Sequence, residues 1–415
     1  MFILKGHRFR LDLDAFQESL CSRTAGLCRF LWNLALEQRS MAWAQGRHSV
    51  SYQAQAGELG DLKTECPWLA QAPYHCLQQT LRDLDQAFQN FFAGRAGYPK
   101  FRKKFRRDSF RFPDPKQFLV DQEQRRIRLP KLGSVSYRNG KGRHALRLPA
   151  KLKSITVSRE GKHWFASVLA EVEQEDPKAV QGLSIGVDLG VTQAITTSTG
   201  EVLAVLGMTR AEERKKARLQ RSLARKQKGS RNRFKARQRL AEFQVRIARR
   251  RRDAIHQATT FLSKNHGRVV VEDLRVKHMT ASAKGTPEAP GRNVRAKAGL
   301  NRALLNMAFG EIRRQLDYKC RWYGSEFLTV NPAFTSQRCS ECGHTEAGNR
   351  PCQAVFRCLK CGHHENADHN AAKNIMAAGI GLPAAGRAGE ACGGEASATR
   401  RSRKSGARAP GIPTL

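Results

Sequence analysis

The chain has 415 residues, and its 74 lysines and arginines exceed its 36 aspartates and glutamates by 38 charges. A positive surplus of this size excludes an acidic protein and an ordinary neutral-surface metabolic enzyme, and it indicates a polyanionic partner. Hydrophobic residues make up 40% of the chain, which at ~150 residues per domain predicts two or three domains with real cores and excludes wholesale disorder.

The chain carries no run near the ~18 apolar residues that cross a bilayer, and its first residues, MFILKGHRFR, lack the features of a secretory signal. We therefore expect a cytoplasmic protein with no membrane partner. Eleven cysteines are too few for a disulfide scaffold, and a reducing compartment keeps thiols free.

The first hundred residues are predicted to be mainly helical, because leucines recur at helical spacing in 14–45 and 77–92. From 116 to 175, short segments separated by glycine and proline turns predict antiparallel strands, together forming a small β-barrel. The predicted strands there are Arg126–Leu129, Ala145–Leu148, Ser154–Ser158 and His163–Val172.

Between these regions lies the segment GYPKFRKKFRRDSFRF, in which basic residues alternate with phenylalanines. The basic residues are candidate phosphate contacts, and the rings could stack on bases or pack in a core, two interpretations that the sequence favours equally. The candidates in this segment are Lys100, Arg102, Lys103, Lys104, Arg106 and Arg107.

The segment LSIGVDLGVTQAITTSTGEVLAVL predicts a three-stranded meander, and residues 209–264 predict two helices divided at Gly229 and Ser230. Within 210–252, 19 lysines and arginines face only three acids. This excess is too one-sided for pairing within the helices, so a phosphate-facing surface is indicated. The candidate contacts here are Arg225, Lys226, Arg231 and Arg233.

Farther along, GRVVVEDL predicts a buried strand ending in acids, and 278–299 predicts a loop that orders only on a ligand. One amphipathic helix over 301–324 and the strand EFLTV follow. The tail from about 381 is rich in Gly, Ala and Arg and is predicted to be disordered.

Two cysteine pairs, Cys339 with Cys342 and Cys358 with Cys361, enclose 15 residues. This is the spacing of a four-thiolate zinc site, which leaves no position for water and therefore predicts a structural metal. An iron–sulfur cluster, disulfides and chance are the alternatives. Three nearby histidines could replace a thiolate, although the complete quartet disfavours that; they are His344, His363 and His364.

Three carboxylates are candidate magnesium ligands: Asp188 ends the strand SIGV, Glu272 ends GRVVV, and Asp368 begins the helix ADHNAAKNI. Mg²⁺ prefers hard oxygen ligands, and two such ions can support phosphodiester hydrolysis. We favour Glu272 over Asp273, which is expected to cap a turn, because adjacent strand residues face opposite sides. A single acid at a strand end is more often a solvated terminus or a helix cap.

Taken together, these elements resemble the transposon-encoded TnpB family, relatives of the type V CRISPR effectors. The segments that carry the resemblance are IGVDLG, VVVEDL, LDYKCRWYG, NPAFTSQRCSECGH, FRCLKCG and ADHNAAKNI, with softer matches in CRFLWNLAL and GYPKFRKK. One departure is the alanine before Asp368, where many members have arginine.

The resemblance implies a mixed α+β fold in which an RNase H-like (RuvC) nuclease domain is split by a zinc ribbon. It also implies a helical N-terminal recognition region and a β-barrel wedge. The implied bounds are 1–12 and 116–180 for the wedge, 13–115 for the recognition region, 181–335 and 366–380 for the nuclease domain, 336–365 for the zinc ribbon, and 381–415 for a basic tail.

The resemblance further implies an RNA-guided, Mg²⁺-dependent DNA endonuclease with guide RNA and target DNA as partners and no small-molecule substrate. It also implies a prokaryotic protein that is nucleoid-associated when bound to DNA. Asp188, Glu272 and Asp368 would be its catalytic residues, and the four cysteines would be its zinc ligands. Three alternatives remain open: a catalytically silent accessory or regulator of transposition, a transposase acting on transposon ends, and a basic zinc protein that coats RNA.

Overall fold

The computed structural model describes residues 2–140, 146–149, 151–204 and 207–381. The predicted tail over 381–415 lies outside these ranges except for Gly381. None of the helices in the described ranges combines the length and apolarity needed to span a lipid bilayer.

The N-terminal part of the chain combines helices with an antiparallel sheet. Strand β1 spans Phe2–Asp12, and helices α1 to α4 span Ala15–Gly46, Tyr52–Gly57, Leu59–Glu65 and Tyr74–Phe92. Strands β2 to β7 span Ser109–Phe112, Leu119–Asp121, Arg126–Leu129, Gly133–Arg138, Lys151–Glu160 and His163–Glu173. Asp14 caps α1 by accepting a hydrogen bond from the Gln17 N–H.

The seven strands are ordered β2-β6-β7-β1-β5-β4-β3. β2 and β3 are the two edges, so the sheet is open and does not close into the complete barrel that the strand pattern predicts. Leucines of α1 and α4, such as Leu31 and Leu77, share one buried cluster with sheet residues such as Ile127 and Val157. The helices and the sheet therefore stabilise each other.

The predicted strand Ala145–Leu148 is wrong over the residues that the structure describes. Residues 146–149 do not form a strand, because side-chain amides form hydrogen bonds with their backbone in place of a neighbouring strand. Gln122 bonds to both the N–H and the carbonyl of Leu148, and Asn139 does the same for Leu146.

A second, five-stranded sheet follows, with the order β10-β9-β8-β11-β12. Its strands β8 to β12 span Ser184–Asp188, Ile195–Thr197, Val202–Ala204, Arg268–Glu272 and Glu326–Val330. β8, β11 and β12 are parallel, and β8, β9 and β10 form the predicted three-stranded antiparallel meander. Helices α5 and α6, Arg210–Ala224 and Arg231–Asn265, confirm the predicted division.

The region between β11 and β12 differs from its prediction. Helix α7 spans Val276–Met279, α8 spans Val294–Met307 and α9 spans Phe309–Tyr323. The predicted loop is therefore partly helical, and the predicted single helix is two, because Ala308 takes a left-handed conformation with φ 56°. The break lets Leu304 and Ile312 enter the same core cluster.

The two faces of this sheet are covered by different helices. Val269 and Val271 pack in a cluster with residues of α6 and α9 such as Leu262 and Leu316. Helix α10, Ala367–Gly379, packs on the other face, where a Cβ added at Gly379 would lie 2.5 Å from Val270. Because side chains alternate along a strand, Glu272 faces the same side as Val270, toward α10.

A small ribbon connects β12 to α10. Its two short strands, β13 over Val355–Arg357 and β14 over His364–Asn366, pair in antiparallel register. Phe356 is fully buried and shares a small core cluster with Cys339 and Cys358.

Candidate active site and zinc ribbon

Asp188 and Glu272 end adjacent parallel strands at the same edge of the five-stranded sheet. The register pairs Val187 with Val271, and each acid is the next residue in its strand. Equivalent positions on neighbouring strands lie about 4.8 Å apart, so the two backbones bring these carboxylates to the same part of the molecule. The predicted preference for Glu272 agrees with this geometry.

Asp368 reaches the same edge because α10 crosses the sheet very closely. A Cβ added at Gly186, two residues before Asp188, would lie 2.1 Å from the Ala372 carbonyl oxygen, so only glycine permits this contact. A Cβ added at Gly190 would lie 3.6 Å from Asp368 Oδ2. Asn366 caps α10 by accepting hydrogen bonds from the N–H groups of Asp368 and His369.

The electrostatics show that the three acids share one environment. Burial, followed by the negative charges of Glu272 and Asp368, raises the pKa of Asp188 to about 7. Burial also raises the pKa values of Glu272 and Asp368. Because Asp188 is repelled by both other acids and all three carboxylates are half buried, a nearby cation would favour their ionisation together.

The site also contains two residues that the sequence pattern does not single out. The Arg350 Nη2 atom lies 3.4 Å from Asp368 Oδ1, and its positive charge lowers the pKa values of all three acids against the effect of burial. Thr335 donates a hydrogen bond from its hydroxyl to Glu272. Both residues lie in irregular loops, where no periodicity marks them.

Carboxylate oxygens are suitable ligands for Mg²⁺, and a cationic arginine in the same place shows that the site favours positive charge. The acids are nevertheless spread more widely than zinc ligands. Within the described ranges, the four cysteines are the only set of His, Cys, Asp or Glu whose ligand atoms all lie within 4.8 Å of one another. Two metal ions about 3.5 to 4 Å apart do not need all their ligand atoms within reach of one ion, so a wider spacing of the three acids is compatible with a two-ion site.

The cysteine quartet has the geometry of a tetrahedral zinc site. The Cys339–Cys361 and Cys342–Cys358 sulfur atoms are 3.7 Å and 3.5 Å apart. Zn–S bonds of about 2.3 Å in a tetrahedron require sulfur separations of about 3.8 Å. The predicted quartet is therefore assembled, and the quartet fits Zn²⁺.

Two matching turns hold the cysteines. Gly343 and Gly362 have φ values of 74° and 77°, and their N–H groups donate to the carbonyls of Cys339 and Cys358. Burial opposes ionisation of Cys358, but hydrogen bonds from the Cys361 and Lys360 N–H groups prevail and lower its pKa to about 6. Such N–H groups favour the thiolate form that binds metal.

The three nearby histidines are not members of this cluster. His344 contacts Glu346, and His363 contacts Glu365.

The ribbon is fastened to α10 by buried amides. Asn370 accepts a hydrogen bond from the Ser340 N–H and donates one to the Arg338 carbonyl. Asn374, one turn later, donates to the carbonyls of Thr335 and Arg338. The ribbon that carries the cysteine quartet and the helix that carries Asp368 are thus joined by direct hydrogen bonds.

Asp273 lies outside this arrangement. Its side chain is half exposed and pairs with Arg313 of α9, and among the described residues it forms no hydrogen bond that caps the turn, contrary to the expectation. Because its carboxylate is bonded to Arg313, Asp273 does not join Glu272 at the site.

Eight of the ten predicted nucleic-acid contacts are exposed, namely Lys100, Lys103, Lys104, Arg106, Arg107, Arg225, Lys226 and Arg231. The other two have contacts within the fold. Arg102 lies 3.6 Å from the centroid of the Trp32 ring, and Arg233 donates to the carbonyls of Leu223 and Lys226 at the end of α5.

The predicted core packing of the phenylalanine-rich segment is confirmed for part of it, and stacking of its other rings on bases stays a prediction. Phe110 and Phe112 are buried in the core of the seven-stranded sheet. Phe101 and Phe105 are exposed, and the Phe105 ring lies 5.9 Å from that of Phe234 on α6.

Comparison with protein families gives three matches along the chain. Residues 1–48 match a model described as a helix-turn-helix domain, 167–283 match "Probable transposase" of the IS605 OrfB type, and 309–375 match the TNB domain of Cas12f1-like proteins. Within the first match, the described residues form strand β1 and the single long helix α1.

Two relatives match almost the whole chain. "Putative RNA-guided DNA endonuclease InsQ" of Escherichia coli K12 is 42% identical over 385 residues, which cover 92% of this chain and 94% of the relative. A protein of Streptomyces pristinaespiralis, described as "Putative RNA-guided DNA endonuclease", is 33% identical over 92% of this chain and 91% of its own length.

A solved complex of Cas12f1 with guide RNA and target DNA resembles the fold. Its protein chain aligns with a TM-score of 0.51 and 14% identity, covering 90% of this chain and 99% of that one. The observed architecture is accordingly a mixed α+β fold like that of Cas12f1. By its near full-length relatives and its matching domains, the chain belongs to the TnpB family, the transposon-encoded IS605 OrfB group.

Proposed function

We propose that the protein is an RNA-guided DNA endonuclease whose Asp188, Glu272 and Asp368 hold Mg²⁺ for phosphodiester hydrolysis. The observation that carries this proposal is the convergence of three half-buried carboxylates, from β8, β11 and α10, at one sheet edge. The raised pKa of Asp188, caused by burial and then by the other two acids, supports it. The names of the near full-length relatives support the RNA-guided activity.

Bound Mg²⁺ would supply an activated water and charge stabilisation for the leaving oxygen. The protein's own residues have separate tasks. Asp188, Glu272 and Asp368 would bind Mg²⁺ through their carboxylates. Thr335 orients the Glu272 carboxylate by its hydrogen bond. Arg350 provides a guanidinium that can donate to a phosphate oxygen of the substrate.

We assign the five-stranded sheet to an RNase H-like (RuvC) domain over 181–335 and 366–380, with the zinc ribbon over 336–365. The strand order, a three-stranded meander followed by two parallel strands, supports this assignment. The wedge over 1–12 and 116–180 and the recognition region over 13–115 belong to the same proposal, although the helices of the latter share a core with the seven-stranded sheet.

Guide pairing would supply the sequence specificity that a basic surface lacks. Lysine and arginine bind phosphate backbones of any sequence, and a net charge of +38 provides many such contacts. Because base pairing with a guide RNA selects the target sequence, the protein needs to recognise only the shape of the backbone and a short duplex element.

The test is cleavage by protein copurified with its RNA. DNA complementary to the variable end of that RNA should be cut in the presence of Mg²⁺. Scrambled DNA, and matched DNA without divalent ions, should stay intact, and ribonuclease treatment before DNA is added should abolish cutting. Cutting that survives loss of the RNA would favour a transposase, and stable guided binding without any product would favour a silent regulator.

A further inference from the structure

A basic cavity lies away from the carboxylates, where the turn between β6 and β7 meets helices α5 and α6. Its volume is about 540 Å³. Five lysines and arginines line it, Lys162 from the turn, Lys215 from α5, and Arg239, Arg246 and Arg249 from α6. It is thus built jointly by the seven-stranded sheet and the basic helices.

The two acids in the cavity wall pair with only two of these five cations. Glu160 pairs with Arg8 and with Arg249, and Glu242 lies 3.7 Å from Lys162. Lys215, Arg239 and Arg246 form no ion pair with any residue that the structure describes. Three unpaired positive charges therefore line one cavity.

Arg249 also has unused donor capacity. Its Nε atom donates to Glu160, but its buried Nη2 atom has no hydrogen-bond partner among the described residues. A buried donor without an acceptor is unfavourable, and an oxygen-rich ligand would relieve that cost.

Three of the cations lie near aromatic rings. The Phe243 ring is buried, with Lys215 at 5.9 Å and Arg246 at 5.3 Å from its centroid. The Arg249 guanidinium lies 5.0 Å from the Phe165 ring. Burial, followed by the charges of Arg10 and Arg249, lowers the pKa of His163, as expected where the local potential is positive.

We propose that this cavity binds the phosphodiester backbone of a nucleic acid, with Lys215, Arg239, Arg246 and Arg249 donating to phosphate oxygens. The inference rests on the RNA-guided function proposed above. Both the guide RNA and the target DNA have a phosphodiester backbone, and the experiment below measures the binding of each separately.

The test uses full-length protein in an Asp188→Ala background, so that binding is measured without cutting. The cavity variant combines Lys215→Gln, Arg239→Gln and Arg246→Gln. The control combines Lys116→Gln, Arg126→Gln and Arg128→Gln, which remove the same charge from exposed positions away from the cavity, one in the turn between β2 and β3 and two on β4. One arm titrates the copurified guide RNA, and the other titrates matched duplex DNA into the RNA-bound complex.

We expect the cavity variant to bind one of the two nucleic acids roughly 10- to 100-fold more weakly and the control to change its affinity less than about threefold. The slope of log affinity against log salt should become shallower by about 0.7 to 0.9 for each phosphate that the variant no longer neutralises. Phosphate-ethylation interference with the parent protein should mark one or two adjacent phosphates, and this mark should be missing for the cavity variant. The parent's interference pattern is informative even if the variant folds poorly.

Equal binding, equal salt slopes and an unchanged interference pattern in the cavity variant and the control would overturn the inference. Absence of any RNA bound to the parent protein would instead contradict the proposed function, so the two failures are distinguishable.

Discussion

The Arg350 guanidinium lies 3.4 Å from the Asp368 carboxylate, and it links the zinc ribbon to the edge of the sheet where the three acids converge. Arg350 belongs to the ribbon and Asp368 to α10, so folding of the ribbon directly affects the charge balance of the site. Among the described residues, this arginine is the cationic side chain that pairs with Asp368.

Replacing Arg350 should reduce cleavage without preventing guide binding. We expect Arg350→Ala to slow cutting of matched DNA by roughly 100-fold, because a charged donor to the substrate phosphate is removed. Arg350→Lys should recover part of the rate, since it retains the charge but not the planar fork. Single-turnover cleavage and filter binding of RNA check this expectation, and a normal rate for Arg350→Ala would contradict it.

The raised pKa of Asp188 predicts that the Mg²⁺-free protein loses stability as the pH rises. The folded protein binds a proton that the unfolded chain releases at its ordinary, lower pKa, so the contribution is present in acid and disappears as the pH passes through about 7. Asp188→Asn stays neutral and should be more stable than the parent at pH 8 by roughly 2 kcal/mol, with a smaller difference at pH 5.

Denaturant unfolding at the two pH values, without divalent ions in the buffer, measures this difference. Adding Mg²⁺ at pH 8 should stabilise the parent and leave Asp188→Asn nearly unchanged. If the free energies of unfolding of the two proteins changed in parallel between pH 5 and pH 8, ionisation of Asp188 would not destabilise the folded protein, and the prediction would be wrong.

Loss of zinc should abolish cutting while guide RNA remains bound. Cys358→Ser removes one thiolate, and the unfolded ribbon would release Arg350 and the hydrogen bonds to Asn370 and Asn374. Cys352→Ser is a matched control, because Cys352 is an exposed free thiol of the same ribbon. Zinc content and cleavage should fall together in Cys358→Ser only; full activity of a zinc-free protein would refute the assignment.

Close packing of α10 on β8 predicts that Gly186→Ala is strongly destabilising. The new methyl group would collide with the Ala372 backbone, which costs about 1 to 3 kcal/mol or more and displaces Asp368. Gly299→Ala, in helix α8 with no atom within 4 Å of the added Cβ, should instead be neutral or stabilising by up to about 1 kcal/mol. Thermal unfolding and cleavage distinguish the two; equal effects would mean that the helix does not pack tightly on the strand.

The sequence predicts the parts of the site that follow regular patterns. Apolar runs ending in Asp188 and Glu272 identify two buried strands, and the cysteine spacing identifies the ribbon. Arg350 and Thr335 are not predictable in this way, because they lie in loops and reach the acids only through the tertiary fold. The described part of the predicted strand Ala145–Leu148, residues 146–148, fails for a related reason, since the amide side chains of Gln122 and Asn139 bond to its backbone.

The most direct test of the central proposal compares single substitutions of the three acids with one at their exposed neighbour. Guide-bound Asp188→Asn, Glu272→Gln and Asp368→Asn should each cut matched DNA with Mg²⁺ roughly 1,000-fold more slowly than the parent while binding it normally. Asp273→Asn, which alters the Arg313 pair outside the site, should cut at nearly the parental rate. Parental cutting by any of the three site variants would contradict the proposed carboxylate centre.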